Sequence, residues 1–72
     1  MINREDIKSR VVVRNKKYMT EEVIIGTCLM KDSQKGWIEA VIYSGKDRNT
    51  NQPNLFTKNI EDFCQEFNLI LE

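Results

Sequence analysis

The chain has 72 residues, of which 40% are hydrophobic and 31% charged, and its eleven basic and eleven acidic side chains give a formal net charge of zero. This length predicts a single domain over residues 1–72, without a second domain that could close a substrate cleft. The absence of histidine removes the commonest general base and the commonest metal ligand. Zero net charge argues against a protein that coats nucleic acid by bulk electrostatics.

The first half of the chain predicts a short helical turn followed by three strands. Residues 3–9 can form the turn, with Asn3 as its N-cap and acidic residues directly after it. Residues 10–14 and 23–30 are rich in β-branched side chains and are typical of strands. Gly26, inside the second of these strands, indicates a bulge or bend.

The third predicted strand covers residues 37–43 and follows a turn cluster at residues 32–36. Because side chains alternate along a strand, this segment has two faces. One face is wholly apolar and is predicted to point into the core; it consists of Ile38, Ala40 and Ile42. The other face is mixed and is predicted to be half-exposed; it consists of Trp37, Glu39, Val41 and Tyr43.

The second half predicts a loop, a short strand, a helix and a final strand. Residues 45–54 have no apolar side chain and are predicted to form an exposed loop, and residues 55–58 a short strand. A helix is predicted to begin after Asn59, since apolar residues then recur at helical spacing. We expect Asn68 to stop this helix in a left-handed conformation, before a strand or hydrophobic tail at residues 69–71.

This element order predicts an α+β fold, a small antiparallel sheet with one C-terminal helix packed on it. It also resembles the SH3-like small β-barrels. The residues that carry this resemblance are Val23-Ile24-Ile25-Gly26-Thr27, the hairpin around Lys35-Gly36-Trp37, and the helical turn before Leu69-Ile70-Leu71. The resemblance implies a partly open barrel that serves as a binding module for peptides, nucleic acids or protein surfaces, although the predicted helix is longer than is usual in such barrels.

Catalytic groups are sparse, and we predict a protein that is not an enzyme and needs no cofactor or metal. Without histidine there is no Ser-His-Asp or Cys-His pair. Cys28 and Cys64 fall in a strand and on an apolar helix stripe, so we expect free thiols that act as small buried hydrophobes. The N-terminal residues lack the apolar stretch of a secretory signal, which predicts a cytoplasmic protein with reduced thiols.

Binding chemistry is more evident than catalytic chemistry. One candidate patch for a protein partner combines aromatic and basic side chains, Trp37, Tyr43, Lys46 and Arg48, and a second is acidic, Glu61, Asp62 and Glu66. A basic cluster with an adjacent aromatic ring could instead bind nucleic acid; it consists of Arg10, Arg14, Lys16, Lys17 and Tyr18. The alternative for each charged set is a solvated surface, and for Trp37 a place in the core.

The zero net charge is a sum of unequal parts. Residues 1–17 carry a net charge of plus four, residues 18–58 of zero and residues 59–72 of minus four. The two end segments can form surface ion pairs with each other, or the acidic helix can bind a basic partner.

The leading hypothesis is a small protein-interaction module, such as a phage-type inhibitor or accessory factor, which could also be a homodimer because the predicted core is thin. The alternatives are a nucleic-acid-binding module of small-barrel type and a protein that sequesters a small anionic ligand.

Overall fold

A computed structural model describes residues 2–70. A 3₁₀ turn at Arg4–Asp6 is followed by strands β1 (Val12–Asn15), β2 (Glu21–Asp32), β3 (Gly36–Lys46) and β4 (Pro53–Asn59), helix α1 (Ile60–Glu66) and strand β5 (Phe67–Leu69). The strands form one antiparallel sheet in the order β4-β3-β2-β1-β5. Within residues 2–70, no helix is both long enough and apolar enough to cross a membrane.

The sheet is open, with β4 and β5 at its two edges. Helix α1 lies on one face of it and packs on the core through Ile60 and Phe63. The α+β prediction is therefore confirmed, while closure into an SH3-like barrel stays a prediction.

The β2–β3 hairpin dominates the sheet. Its turn is fixed by Asp32, whose Oδ1 accepts the backbone N–H groups of Gln34 and Lys35 at 2.8 and 3.0 Å. Gly36 then takes a φ of +79°, which glycine adopts without strain. The predicted bulge is confirmed next to Gly26, since the pairing with β3 skips Ile25.

The predicted loop over residues 45–54 is wrong in extent. Strand β3 continues to Lys46 and β4 already begins at Pro53, so the connection is only residues 47–52. The register extends because backbone pairing does not need apolar side chains, and a proline is tolerated at the start of an edge strand.

Helix α1 begins where its cap predicts. The Asn59 side-chain oxygen accepts the backbone N–H of Asp62 at 2.8 Å, as an N-cap residue should. The prediction that Asn68 ends the helix is wrong. The chain already becomes extended at Phe67, with a φ of −123°, because this buried side chain completes the core at the start of β5.

The core lies between α1 and one face of the sheet. It consists of eight buried side chains, Ile2, Val13, Ile24, Val41, Tyr43, Ile60, Phe63 and Phe67. Three of these residues form an aromatic group, in which the Phe63 and Phe67 rings stack with centroids 4.4 Å apart and Tyr43 lies 5.3 Å from each.

The predicted inward face of β3 is confirmed only for Ala40, which is completely buried, whereas Ile38 and Ile42 are half-buried. Val41 and Tyr43, from the mixed set, are the core residues. Ile38, Ala40 and Ile42 alternate with them and therefore lie on the opposite face of the sheet. Because both faces of β3 carry apolar residues, alternation alone does not decide which face the helix covers.

Candidate binding groove

A groove of about 760 Å³ lies on the helix side of the sheet. Its walls are the β1–β2 turn, the β3–β4 loop and the C-terminal end of α1. Tyr43, Phe56 and Phe67 line it together with polar side chains from these walls. Tyr43 and Phe56 stack with ring centroids 5.6 Å apart, which gives the groove an aromatic floor continuous with the core.

The β1–β2 turn is organised by Asn15. Its side-chain oxygen accepts the backbone N–H groups of Lys17 and Tyr18 at 2.9 and 3.1 Å, which is an Asx turn. The Lys16 N–H donates to the Glu66 carbonyl at 3.0 Å, and this bond ties the turn to the end of α1. Lys16, Lys17 and Tyr18 are therefore held beside the groove by backbone contacts.

The β3–β4 loop is organised by Asp47 in the same way. Its side-chain oxygen accepts the Asn49 N–H at 2.8 Å, and its backbone N–H donates to the Gln52 carbonyl at 2.8 Å. The Asn51 N–H donates to the Asp47 carbonyl at 2.7 Å, and Asn51 itself has a φ of +57°. This closed loop presents Arg48 toward the β1–β2 turn.

The two walls meet at Tyr18. The Arg48 guanidinium lies 3.6 Å from the centroid of the Tyr18 ring, and the Lys17 ammonium lies 5.2 Å from it. These are cation–π distances. Hydrogen bonding and charge from Lys17 and Arg48 lower the pKa of the Tyr18 hydroxyl. The ring is nevertheless 41% exposed, so part of it can still contact a ligand.

The acidic side chains of the groove already have local partners. Glu66 forms an ion pair with Lys58, at 2.6 Å between Oε1 and Nζ, and this hydrogen bond raises the pKa of Lys58. Glu22 accepts the Thr20 hydroxyl at 2.8 Å through Oε1. Burial raises the pKa of the Glu22 carboxyl, whose Oε2 is buried without a hydrogen-bond partner.

The basic side chains of the groove are less engaged. Lys16, Lys17, Lys46 and Arg48 line it. None of them takes part in an ion pair among residues 2–70. The groove lining holds five basic side chains against three acidic ones, so it presents a locally positive surface on a protein of zero net charge.

The structure thus merges two sets that the sequence kept apart. Lys16, Lys17 and Tyr18 come from the candidate nucleic-acid cluster, and Tyr43, Lys46 and Arg48 from the candidate protein-binding patch. Glu66 of the acidic set also lines this groove. The link between the sets is the contact of Tyr18 with Arg48, which joins residues thirty positions apart.

The other candidate residues lie elsewhere. Trp37 is 64% exposed at the far end of the hairpin, roughly 20 Å along β3 from Tyr43, with the Lys31 ammonium 5.2 Å from its ring centroid. Arg14 forms an ion pair with Glu21 at 3.6 Å, and Arg10 is exposed with a φ of +73°. Glu61 and Asp62 line a separate cavity of about 390 Å³ with Arg4 and Lys35.

Glu22, Phe56 and Lys58 are among the groove residues that sequence patterns did not identify. The available signal was strand alternation, since Glu22 shares the core face of β2 with Ile24, and Phe56 and Lys58 share one face of β4. Alternation identifies these residues as groove residues only when it is known which face of the sheet α1 covers.

The two charged end segments lie side by side, and the parts of them within residues 2–70 form no ion pair with each other. Strand β1 pairs with β5, and the Ile2 N–H donates to the Cys64 carbonyl at 3.2 Å. The ion pairs found within residues 2–70 instead join Arg4 with Glu39, Arg14 with Glu21 and Lys58 with Glu66. Glu72, the last acid of the C-terminal segment, lies outside the described residues.

Comparison with known proteins gives no match: no family model, no curated protein and no solved structure is significantly similar to this chain. Its function must therefore be inferred from the geometry of its own side chains.

Proposed function

We propose that this protein is a small non-enzymatic binding module whose groove binds single-stranded nucleic acid. The observation that carries the proposal is the exposed Tyr18 ring held against Arg48 at 3.6 Å, within a groove lined by cations that have no acidic partner among residues 2–70. Lysine and arginine bind phosphates, and an aromatic face stacks on bases of any sequence.

The shape of the site supports a strand rather than a duplex. An open groove with one exposed ring suits an unstacked base and its flanking phosphates, since stacked base pairs do not offer their faces. The order of α1 and then β5, with β5 paired to β1, supports a small-barrel type of module whose sheet is open. Zero net charge then limits the contact to a few phosphates at this groove.

The first test is fluorescence anisotropy with labelled single-stranded DNA and RNA dodecamers at two salt concentrations. Contact with three or four phosphates predicts a slope of log affinity against log salt of about −2 to −3. Absence of binding at low salt would overturn the proposal. Native mass spectrometry of the purified protein tests the alternative function, because a captured small anionic ligand would add its mass to that of the chain.

Matched variants locate the contact. The double variant Lys16→Ala/Lys17→Ala should reduce the magnitude of the salt slope by about 1.4, since each lost phosphate contact removes about 0.7. The control Lys31→Ala/Lys35→Ala removes the same charge from residues outside the groove lining and should leave the slope unchanged. Equal effects of the two double variants would show non-specific electrostatics instead.

The ring is tested by two substitutions of Tyr18. Tyr18→Phe keeps the aromatic face and should retain affinity, whereas Tyr18→Leu keeps apolar bulk without a π-face and should weaken binding by about 5- to 150-fold. If both variants bind equally, stacking is not part of recognition.

A protein-interaction module, of the inhibitor or accessory type, is the second candidate. The observation that favours it is the exposed end of the hairpin, where Trp37 and Leu29 are each 64% exposed on the same sheet face. A quantitative pull-down from the natural host should then lose its partner with Trp37→Ser and keep it with Tyr18→Leu. The reverse pattern would eliminate this candidate.

A further inference from the structure

We propose that the sheet face opposite α1 is the interface of a homodimer, in which two copies of this chain pack sheet against sheet. This inference is independent of the groove and its ligand. We call this surface the open face and define it by the residues that pair on that side of β1, β2 and β3: Val12 opposite Val23, Cys28 opposite Ala40, and Met30 opposite Ile38. Ile42, opposite Gly26, and the bulged Ile25 continue it.

The open face is apolar where a solvated sheet face would be polar. An antiparallel sheet with one covered face normally alternates apolar and polar side chains. Here the β2 positions from Val23 to Met30 that lie on this side are apolar or glycine, and so are Ile38 to Ile42 on β3. Its charged positions stand at the ends of the strands: Arg14 and Glu21 pair with each other at one end, and the register places Asp32 and Lys46 beyond the apolar stretch.

Within residues 2–70 the open face is exposed at its rim, whereas Cys28, Met30, Ile38 and Ile42 in its middle are half-buried and Ala40 is completely buried. Helix α1 and the N-terminal segment pack on the other side, where Phe63 and Ile2 join the core. Large apolar side chains consequently remain exposed, with Ile25 at 46%, Val12 at 37% and Val23 at 36%, and Leu55 on the neighbouring strand at 62%. Contiguous apolar surface of this kind marks an interface.

The exposed area of the whole chain is larger than a monomer of this mass usually has. The chain of 8.5 kDa exposes 5438 Å². A folded monomer of this mass exposes roughly 4,650 Å², so the excess is roughly 800 Å². A standard stable interface buries about 800 Å² from each partner. The radius of gyration of 12.1 Å likewise exceeds the roughly 11 Å expected for 72 residues.

The shape and charge of the open face favour a second copy as its occupant. A twofold interface places the same patch on both sides and therefore needs a self-complementary surface. The small Ala40 and Cys28 lie side by side in the middle of the patch, with the larger Met30, Ile38 and Ile42 around them, so two sheets can approach to the usual ~10 Å. Because the apolar stretch between the strand ends carries no charge, it selects neither an acidic nor a basic partner. Because the groove lies on the helix side, such a dimer leaves two grooves open.

The test is the solution mass of the wild-type chain and two matched variants, measured by sedimentation velocity. Ile25 and Leu29 are both exposed apolar residues of β2, 46% and 64%, but they lie on opposite faces. Wild type and Leu29→Lys should sediment as dimers, twice the monomer's 8.5 kDa. Ile25→Lys should raise the dimer dissociation constant by at least about 100-fold, because two lysines would be buried without partners. A monomeric wild type at millimolar concentration, or equal loss of dimer in both variants, would overturn the proposal.

A second measurement uses only the wild-type chain. Cys28 lies in the middle of the open face, whereas Cys64 packs on the helix side, and both thiols are free. Dimerisation should protect Cys28 from alkylation, and this protection should fall on dilution while the rate at Cys64 stays constant. A Cys28 rate that does not depend on protein concentration would contradict the dimer.

Discussion

Glu22 is the side chain whose surroundings differ most from what its residue type prefers. It shares the core face of β2 with Ile24 and lies over Gly45, where an added Cβ would stand 2.7 Å from Glu22 Cγ. Its Oε2 is buried without a partner, and burial raises its pKa. A side chain at position 45 would therefore force the Glu22 side chain to shift.

The first prediction follows from this raised pKa. The folded state binds a proton more tightly than the unfolded state at Glu22, so this residue makes the free energy of unfolding fall as pH rises through the window above the ordinary glutamate value. Glu22→Gln should remove this dependence and raise the thermal midpoint at pH 7, with no gain at pH 3, where the wild-type carboxyl is protonated. Thermal unfolding by circular dichroism at both pH values measures the effect.

Glu21→Gln is the neighbouring control. Glu21 is exposed and pairs with Arg14 at 3.6 Å, so its loss should change stability by no more than about 1 kcal/mol. A gain from Glu22→Gln that persists at pH 3 would show that charge burial is not its cause.

At the scale of elements, α1 depends on its context. A seven-residue helix is too short to be stable alone. It is held by the Asn59 cap at one end and, at the other, by Phe67, which continues straight into β5. The Lys16 N–H in the β1–β2 turn donates a hydrogen bond to the Glu66 carbonyl at the end of α1. This end of the helix therefore also positions one wall of the groove.

The second prediction concerns the cap. Asn59→Ala removes the acceptor for the Asp62 N–H and should lower the free energy of unfolding by about 1 kcal/mol. Asn59→Ser retains a side-chain acceptor and should recover most of the loss. Urea unfolding followed by far-ultraviolet circular dichroism gives both values, and equal destabilisation by alanine and serine would exclude a capping role.

At the scale of the whole molecule, stability rests on a core of eight side chains. A domain of this length has a total stability of only about 4–10 kcal/mol. Phe63 is completely buried and stacks on Phe67, so it occupies the centre of this small core. The free energy lost with one such side chain is therefore large compared with the total free energy of unfolding.

The third prediction compares two aromatic residues. Phe63→Ala should cost about 3–5 kcal/mol and abolish or nearly abolish cooperative unfolding. Trp37→Ala, at a side chain that is 64% exposed, should change stability by no more than about 0.5 kcal/mol. Unfolding should be followed by circular dichroism, because an exposed tryptophan reports little of the transition. Comparable losses in the two variants would place Trp37 in a buried contact.

The sequence by itself determined the local structure. Strand propensity located β1 to β4, Gly26 marked the bulge, and Asn59 with the following apolar stripe marked the start of α1. These signals are local, because capping, alternation and turn chemistry depend on residues a few positions apart. The exposed loop was predicted too long, since backbone pairing extended β3 and β4 through polar residues.

Only the tertiary structure decided which face of the sheet is covered and which distant residues meet. Strand β3 has apolar residues on both faces, and the helix packs on the one with Val41 and Tyr43. Tyr18 and Arg48 meet because two turns at the same end of the sheet close over one groove. Both results depend on packing between segments far apart in the chain, and that information is not present in any local pattern of residues.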